Sequence, residues 1–251
     1  MTNGQDITSL TVADLAERIR TKRISPVEVA HAFISRADEL EPTIGAFVTR
    51  TPEHAIQAAQ QAESDIVAGN YRGPMHGIPV GVKDIYATVG VRTTSGSKVY
   101  ADHVPDRDST AVALLQKAGA YSIGKTGTVE FAFDPTGRNA HYGMPNNPWG
   151  LNHMPGGSSA GSGAGTAAGF FPISLGTDTG GSIRIPSALC GLTGIKPTFG
   201  LTSRAGVTPL SWSLDTVGPM ARSAEDAAIA LNVLAGYDPG DWASVRSDLV
   251  D

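Results

Sequence analysis

The sequence predicts an α/β fold in which helices flank a mixed central sheet. Helical periodicity dominates the first seventy residues, short apolar runs rich in β-branched residues follow, and helical segments separate those runs. No internal repeat, linker or low-complexity tract marks a boundary within the 251 residues. We therefore expect a single domain, residues 1–251, that begins with a helical segment at about residues 8–70.

Three helices are predicted in this N-terminal segment. The first follows Thr11, where apolar residues recur at i, i+3, i+4 and i+7. The second begins at Ser25-Pro26-Val27-Glu28, a capping sequence, and we expect it to end at about Leu40, before Pro42. The third covers about residues 52–68, a stretch rich in alanine and glutamine.

Buried strands are predicted from the short apolar runs. The first run, Gly77-Ile-Pro-Val-Gly-Val82, leads into Lys83-Asp84, and two further runs lie at residues 120–123 and 172–175. Helices are expected before each of the later runs, at about residues 109–118 and 159–169. A last helix is expected after Ser223, with Asp226 in the capping position.

Composition and charge exclude several classes of protein. The chain has 19 Lys and Arg against 24 Asp and Glu, a formal charge of −5, and no basic patch for phosphates, so we expect no nucleic-acid partner. Cys190 is the only cysteine, and the N-terminus lacks the features of a secretion signal. The longest weakly polar stretch, residues 164–175, is too short to span a bilayer. We expect a cytoplasmic protein without membrane contact.

Metal and organic cofactors are not expected. No pair of histidines or cysteines has the spacing of metal ligands. Residues 163–168 formally fit the nucleotide-binding pattern G-x-G-x-x-A, but no clear strand leads into them, and the lysine-containing phosphate loop is missing. Nucleotide binding is therefore disfavoured.

Glycine and serine crowd together in two segments, Pro155-Gly-Gly-Ser-Ser-Ala-Gly-Ser162 and Gly176-Thr-Asp-Thr-Gly-Gly-Ser-Ile-Arg184. Each alone is more often a plain loop than a site. The first contains a G-x-S-x-G match centred on Ser159, but the α/β-hydrolase fold needs a histidine later in the chain, and none follows His153. No upstream histidine lies in a recognisable motif.

Serine chemistry with lysine as the base remains. A lysine acts as a base where burial lowers its pKa from about 10.4 towards neutrality. Of the six lysines, Lys83 ends the most apolar run, although a charged strand end paired with Asp84 is an equal alternative on spacing alone. Ser182 follows two glycines whose amides are able to converge on an oxyanion, so it is the better nucleophile candidate.

Together these segments resemble the amidase signature family of serine amidohydrolases. The resemblance rests on residues 77–84, 155–162 and 176–184, and it extends through Gly191-Leu-Thr-Gly-Ile-Lys-Pro-Thr-Phe-Gly200 and Ser213-Leu-Asp-Thr-Val-Gly-Pro-Met-Ala-Arg222. It implies the amidase α/β fold. It also implies hydrolysis of the C–N bond of a linear carboxylic amide, through an acyl-serine intermediate, without a cofactor.

The resemblance also implies roles for individual residues. The family's Ser-cis-Ser-Lys triad corresponds to Lys83 as base, Ser158 as bridging serine after a cis peptide bond, and Ser182 as nucleophile. The oxyanion and substrate are expected at the backbone amides of Thr179, Gly180, Gly181 and Ser182. Supporting roles are expected for Ser159, Asp178 and Arg184.

Length is where the sequence departs from the family, whose members are usually much longer. The chain corresponds to the N-terminal catalytic portion, so we expect a fragment or one piece of a split enzyme, completed by a complementary chain, and a homodimer is a further option. Ile185 stands where the tRNA-dependent amidotransferases typically have glutamine, and Ser211-Trp-Ser213 also differs. This favours an amidase acting on a small amide. Two alternatives stay open: the glutamine-hydrolysing subunit of a tRNA-dependent amidotransferase, and an inactive amidase-like scaffold.

Overall fold

The computed structural model describes residues 6–246, which contain seven α-helices and six strands. The helices are α1 (Val12–Arg20), α2 (Pro26–Ile44), α3 (Pro52–Val67), α4 (Thr110–Lys117), α5 (Ala160–Ala168), α6 (Arg184–Cys190) and α7 (Ala224–Leu234). The strands are β1 (Phe47–Arg50), β2 (Pro79–Lys83), β3 (Tyr121–Thr126), β4 (Ile173–Asp178), β5 (Thr193–Gly194) and β6 (Thr216–Ala221).

All six strands belong to one mixed sheet, in the order β1-β3-β2-β4-β6-β5. Strands β3, β2 and β4 run parallel at its centre, and β1, β6 and β5 pair antiparallel to their neighbours. One cluster of buried side chains joins the sheet to α1, α4 and α7, and a second joins it to α3, α5 and part of α2. The predicted fold class, a mixed sheet flanked by helices, is confirmed.

Helix α2 ends later than the sequence predicted. An end at about Leu40 is wrong, because the helix continues through Pro42 to Ile44. Proline removes one helical hydrogen bond, but the end of the helix is well satisfied. Gly45 closes the helix in the left-handed region, at φ +66°, and the Glu41 carboxylate accepts the next two backbone amides, at 2.9 and 2.7 Å.

Strands β1, β5 and β6 and helix α6 were not predicted. Strand β6 contains Gly218 and Pro219, residues that normally argue against a strand. It forms because β4 and β5 flank it on both sides, and the Pro219 carbonyl accepts the amide of Ile195 at 3.0 Å. Partners supplied by distant parts of the chain therefore override the local preference.

The sheet topology brings the candidate residues to one end. Strands β2 and β4 are parallel neighbours, so their last residues, Lys83 and Asp178, lie at the same edge. Helix α5 packs against both strands and starts immediately after Ser159. The carboxyl ends of two central strands and the start of one helix thus meet in one place.

Helix α5 approaches the sheet closely because its sequence, AGSGAGTAA, has no large side chain. The ring of Phe171 lies between Gly81 on β2 and Gly165 on α5, and a Cβ atom on either glycine would overlap that ring. Both positions therefore require glycine for packing reasons. This contact also sets the distance between β2 and the serines that precede α5.

We expect Gly81→Ala to destabilise the chain by about 1–3 kcal/mol, because the added methyl group forces the Phe171 ring out of its place. Urea denaturation measures the change as a lower midpoint. Gly127→Ala is the matched control: its Cβ would meet its neighbours at 3.6 Å, an ordinary contact, so its midpoint should stay close to that of the unchanged chain. Equal midpoints for both variants would contradict this packing account.

Candidate active site

Lys83 is completely buried at the end of β2. Its Nζ donates hydrogen bonds to the hydroxyls of Ser158, at 2.7 Å, and Thr177, at 2.8 Å. Burial lowers the pKa of Lys83 to about 7, although the charges of Asp215 and Asp178 favour the ammonium form. A large fraction of this side chain is therefore a neutral amine near neutral pH, which is what a base requires.

Asp84 is not the partner of Lys83, which was the alternative that the sequence left open. The Asp84 carboxylate accepts hydrogen bonds from the backbone amide of Thr94, at 3.0 Å, and from the Thr94 hydroxyl. Burial raises the pKa of Asp84, and the charge of Lys125 opposes that shift. Asp84 thus belongs to the loop after β2 and leaves Lys83 to the hydroxyl groups.

Ser158 and Ser159 are both fully buried just before α5. The peptide bond between Gly157 and Ser158 is cis. Ser158 directs its hydroxyl at Lys83, whereas the Ser159 hydroxyl donates to the carbonyl of Thr177 and accepts its amide, both at 3.3 Å. Ser159 therefore ties the start of α5 to β4. A buried serine bonded to backbone is not the raised nucleophile of a hydrolase elbow.

Ser182 lies half-buried on the loop between β4 and α6. Its carbonyl accepts the amide of Ser159 at 3.3 Å, which brings the loop to the serines before α5. Within residues 6–246, no hydrogen bond joins the Ser182 hydroxyl to that of Ser158. The structure thus unites Lys83 with Ser158 through side chains and brings in Ser182 through its backbone.

Asp178 organises this loop. Its buried carboxylate accepts the amides of Gly181 (2.8 Å), Ile183 (3.2 Å) and Arg184 (3.3 Å), and two hydrogen bonds of 2.9 Å from the Arg184 guanidinium. Burial alone would raise the pKa of Asp178, but these hydrogen bonds outweigh it and the pKa lies below its ordinary value. The amides of Thr179, Gly180 and Ser182 have no acceptor among the described residues.

Two residues of the site escaped the sequence interpretation. Thr177 contacts the Lys83 amine, and Asp215 accepts a hydrogen bond from the hydroxyl of Thr179. Both lie inside stretches that resemble the amidase family, but neither residue type signals a role. Only their position, beside the ends of β4 and β6, reveals them.

A second buried lysine, Lys125 on β3, provides a comparison. Its Nζ donates to the carbonyl of Tyr86 and to the hydroxyls of Thr88, at 3.1 Å, and Thr93, at 2.7 Å. Burial lowers the pKa of Lys125 to about 8, and nearby Asp84 opposes the shift. No serine is among its partners in the described structure. Of the two buried lysines, Lys83 is the one that meets a candidate serine.

A cavity of about 290 Å³ opens beside Thr177 and Asp215. Arg204 lines it, but its guanidinium is paired with Asp241 at 2.8 Å, so it offers no free charge. The other walls are mostly apolar, and they include Ile85, Val207, Leu210, Trp212 and Trp242. The cavity therefore suits an apolar group better than a charged one.

Comparison with known proteins identifies the family. The sequence model of the amidase family matches residues 28–249, most of the chain. This chain belongs to the amidase family. The family resemblance read from the sequence motifs is therefore confirmed.

Relatives of this amidase-family chain include subunits of a tRNA-dependent enzyme. A glutamyl-tRNA(Gln) amidotransferase subunit from Carboxydothermus hydrogenoformans is 45% identical over 242 residues, which cover 96% of this chain and 50% of that protein. The corresponding subunit from Geobacter sp. strain M21 is 44% identical over 246 residues, which cover 98% of this chain and 50% of that protein.

Solved structures of the amidase family share the fold. The peptide amidase of Stenotrophomonas maltophilia is 34% identical with a TM-score of 0.91, over 96% of this chain and 51% of that one. The glutamyl-tRNA(Gln) amidotransferase subunit from Thermotoga maritima is 32% identical with a TM-score of 0.82, over 97% and 50%. The chain spans about half the length of the relatives that it matches.

We expect Lys83→Met to flatten the pH dependence of stability. The pKa of Lys83 is about 7 when folded and about 10.4 when unfolded, so between these values the unfolded state binds more protons. The cost of burying the amine is complete below pH 7, and the free energy of unfolding rises with pH above it, by at most about 1.4 kcal/mol per pH unit. Lys83→Met removes this contribution, while that of Lys125 remains.

Urea denaturation at pH 7, 8 and 9 measures the slope. Lys117→Met, which replaces an exposed lysine of α4, is the control and should keep the slope of the unchanged chain. The same slope in the Lys83→Met variant would show that this amine titrates alike in the folded and unfolded states.

Proposed function

We propose that this chain carries the catalytic centre of an amidase, with Lys83 as base, Ser158 as bridging serine and Ser182 as nucleophile. The 2.7 Å hydrogen bond between the buried amine of Lys83 and Ser158 is the observation that carries the proposal. Its lowered pKa supports a neutral amine, and the family membership supports amide hydrolysis as the reaction. The expected products are a carboxylic acid and ammonia or an amine.

The proposed reaction moves protons along the three side chains. Neutral Lys83 takes the proton of the Ser158 hydroxyl, and Ser158 takes that of Ser182 as the Ser182 oxygen attacks the amide carbonyl carbon. When the C–N bond breaks, the proton returns from Lys83 through Ser158 to the leaving nitrogen. Water then loses a proton along the same route and cleaves the acyl-serine. Bound substrate would close the contact between Ser158 and Ser182, as catalytic hydrogen bonds often tighten on binding.

The oxyanion site in this proposal is the loop that follows β4. The amides of Thr179, Gly180 and Ser182 have no acceptor in the described structure and so are available to a developing negative charge. The Gly181 amide, also expected there from the resemblance, already donates to Asp178, so its part is to fix the loop. Each oxyanion donor contributes about 3–4 kcal/mol in comparable hydrolases.

Three further residues support the site in this proposal. Asp178 and Arg184 form an ion pair of 2.9 Å that holds the loop of Ser182. Ser159 links the start of α5 to the backbone of β4. We assign these residues to positioning, without contact to the substrate.

The substrate class follows from the cavity beside the site. Its mostly apolar walls favour an amide with an apolar acyl group. A second candidate function is the glutaminase activity of an amidotransferase subunit, because the relatives at 44–45% identity carry that name. Glutamine would need partners for its charged groups, and the one arginine that lines the cavity is already paired with Asp241.

The domain organisation is part of the proposal. We assign residues 1–251 to the N-terminal catalytic portion of one amidase domain, which a complementary chain or a homodimer would complete. The half-length match to relatives supports this. The cytoplasmic location is likewise a prediction from the sequence. None of the helices in residues 6–246 has the length and apolar character needed to cross a membrane.

Ammonia release from butyramide, benzamide and L-glutamine tests the function, with and without added amidotransferase subunits. We expect turnover of an apolar amide, and Ser182→Ala should lower it about 10³-fold or more. Ser122→Ala, at the far end of β3, is the control and should keep full activity. Turnover of glutamine alone, dependent on the added subunits, would favour the second candidate, and an active Ser182→Ala variant would refute the nucleophile.

We expect the rate constant kcat/KM to rise with pH through about 7, because only the neutral amine of Lys83 accepts a proton. The rate should be low at pH 6 and level above pH 8. A pH–rate profile on the best amide of that panel measures this. A rate that is constant from pH 6 to 8 would count against Lys83 as the base.

A further inference from the structure

Asp215 lies directly before β6 and is 8% exposed. Its Oδ1 accepts the hydroxyl of Thr179, on the loop of Ser182. The same carboxylate accepts the backbone amides of Leu210, at 2.8 Å, and Ser211, at 3.0 Å. Asp215 therefore connects the loop of the candidate nucleophile to a segment that lines the cavity.

The charge of Asp215 also acts on Lys83. Two carboxylates favour the ammonium form of Lys83, and Asp215 does so more than Asp178. Asp178 is neutralised by the guanidinium of Arg184 at 2.9 Å. Asp215 receives hydrogen bonds from neutral groups, and it forms no ion pair in the described part of the chain. Its negative charge is therefore the less compensated of the two.

A completely buried amine without a counter-charge would be a weak base. Desolvation lowers the pKa of Lys83, and the further it falls, the less readily the amine takes a proton from a hydroxyl. A negative charge that hydrogen-bonds neutral donors offsets part of this loss without forming an ion pair that would hold the lysine protonated. The position of Asp215 meets this requirement.

We propose that Asp215 is a positioning residue of the amide-cleaving site, which holds the Ser182 loop through Thr179 and keeps Lys83 basic through its charge. Its meaning for catalysis rests on the proposed function, but its effect on the Lys83 amine does not. The two parts of the proposal separate experimentally, since the hydroxyl of Thr179 carries the first and the charge of Asp215 carries the second.

Titration of the lysine side chains by NMR, with ¹³C at Cε, tests the charge without any need for activity. Asp215→Asn should lower the titration midpoint of Lys83 by about 0.5 pH unit or more. Asp215→Glu keeps the charge and should restore most of the midpoint. Lys125, which has no contact with Asp215, is the internal control and should titrate unchanged near pH 8. An unchanged Lys83 midpoint in Asp215→Asn, or an equal shift of Lys125, would overturn the charge effect.

Thr179 variants test the link to the loop. Thr179→Val removes the hydroxyl that donates to Asp215 and should lower kcat about tenfold, through a misplaced nucleophile, while the pH midpoint of the rate stays in place. Thr179→Ser retains the hydroxyl and should recover the rate. A Thr179→Val variant with full turnover would overturn the positioning role. If the unchanged chain hydrolyses no amide, the proposed function fails, and the NMR titration still decides whether Asp215 controls Lys83.

Discussion

Because the amine of Lys83 is buried where two hydroxyl groups but no carboxylate contact it, the surrounding structure has to satisfy a polar atom that water cannot reach. An amine in such a place loses much of its affinity for a proton. Ser158 and Thr177 must then stand within hydrogen-bond distance, because an unpaired buried nitrogen would be costly. The positions of β4 and of the chain before α5 follow from this requirement.

Close approach of backbone makes this arrangement accessible. Small residues along α5 and glycine at position 81 let the helix lie near β2, with the Phe171 ring filling the remaining space. On the other side, the Asp178 carboxylate gathers three backbone amides and a guanidinium, and so fixes the loop that follows β4. Packing thus places the base and the bridging serine, and hydrogen bonds to one carboxylate place the loop of the nucleophile.

The sequence alone predicted the fold class and the regions that form the candidate site. Capping residues and apolar periodicity identified α1, α2 and α7, and the apolar run before Lys83 identified β2. The continuation of α2 through Pro42 and the strand around Pro219 escaped prediction, because their stability comes from distant partners. Thr177, Asp215 and Lys125 escaped it for a related reason. Their importance lies in what they contact, and a single sequence does not show which polar residues are buried together.

Labelling of the chain with a fluorophosphonate, read by intact mass and peptide mapping, tests the central claim most directly. The reagent bonds to an activated serine, so it reports whether a buried lysine base and a nucleophile come together within this chain. The account predicts one adduct, on Ser182. An adduct on Ser159 instead, or no adduct on a chain shown by circular dichroism to be folded, would contradict it.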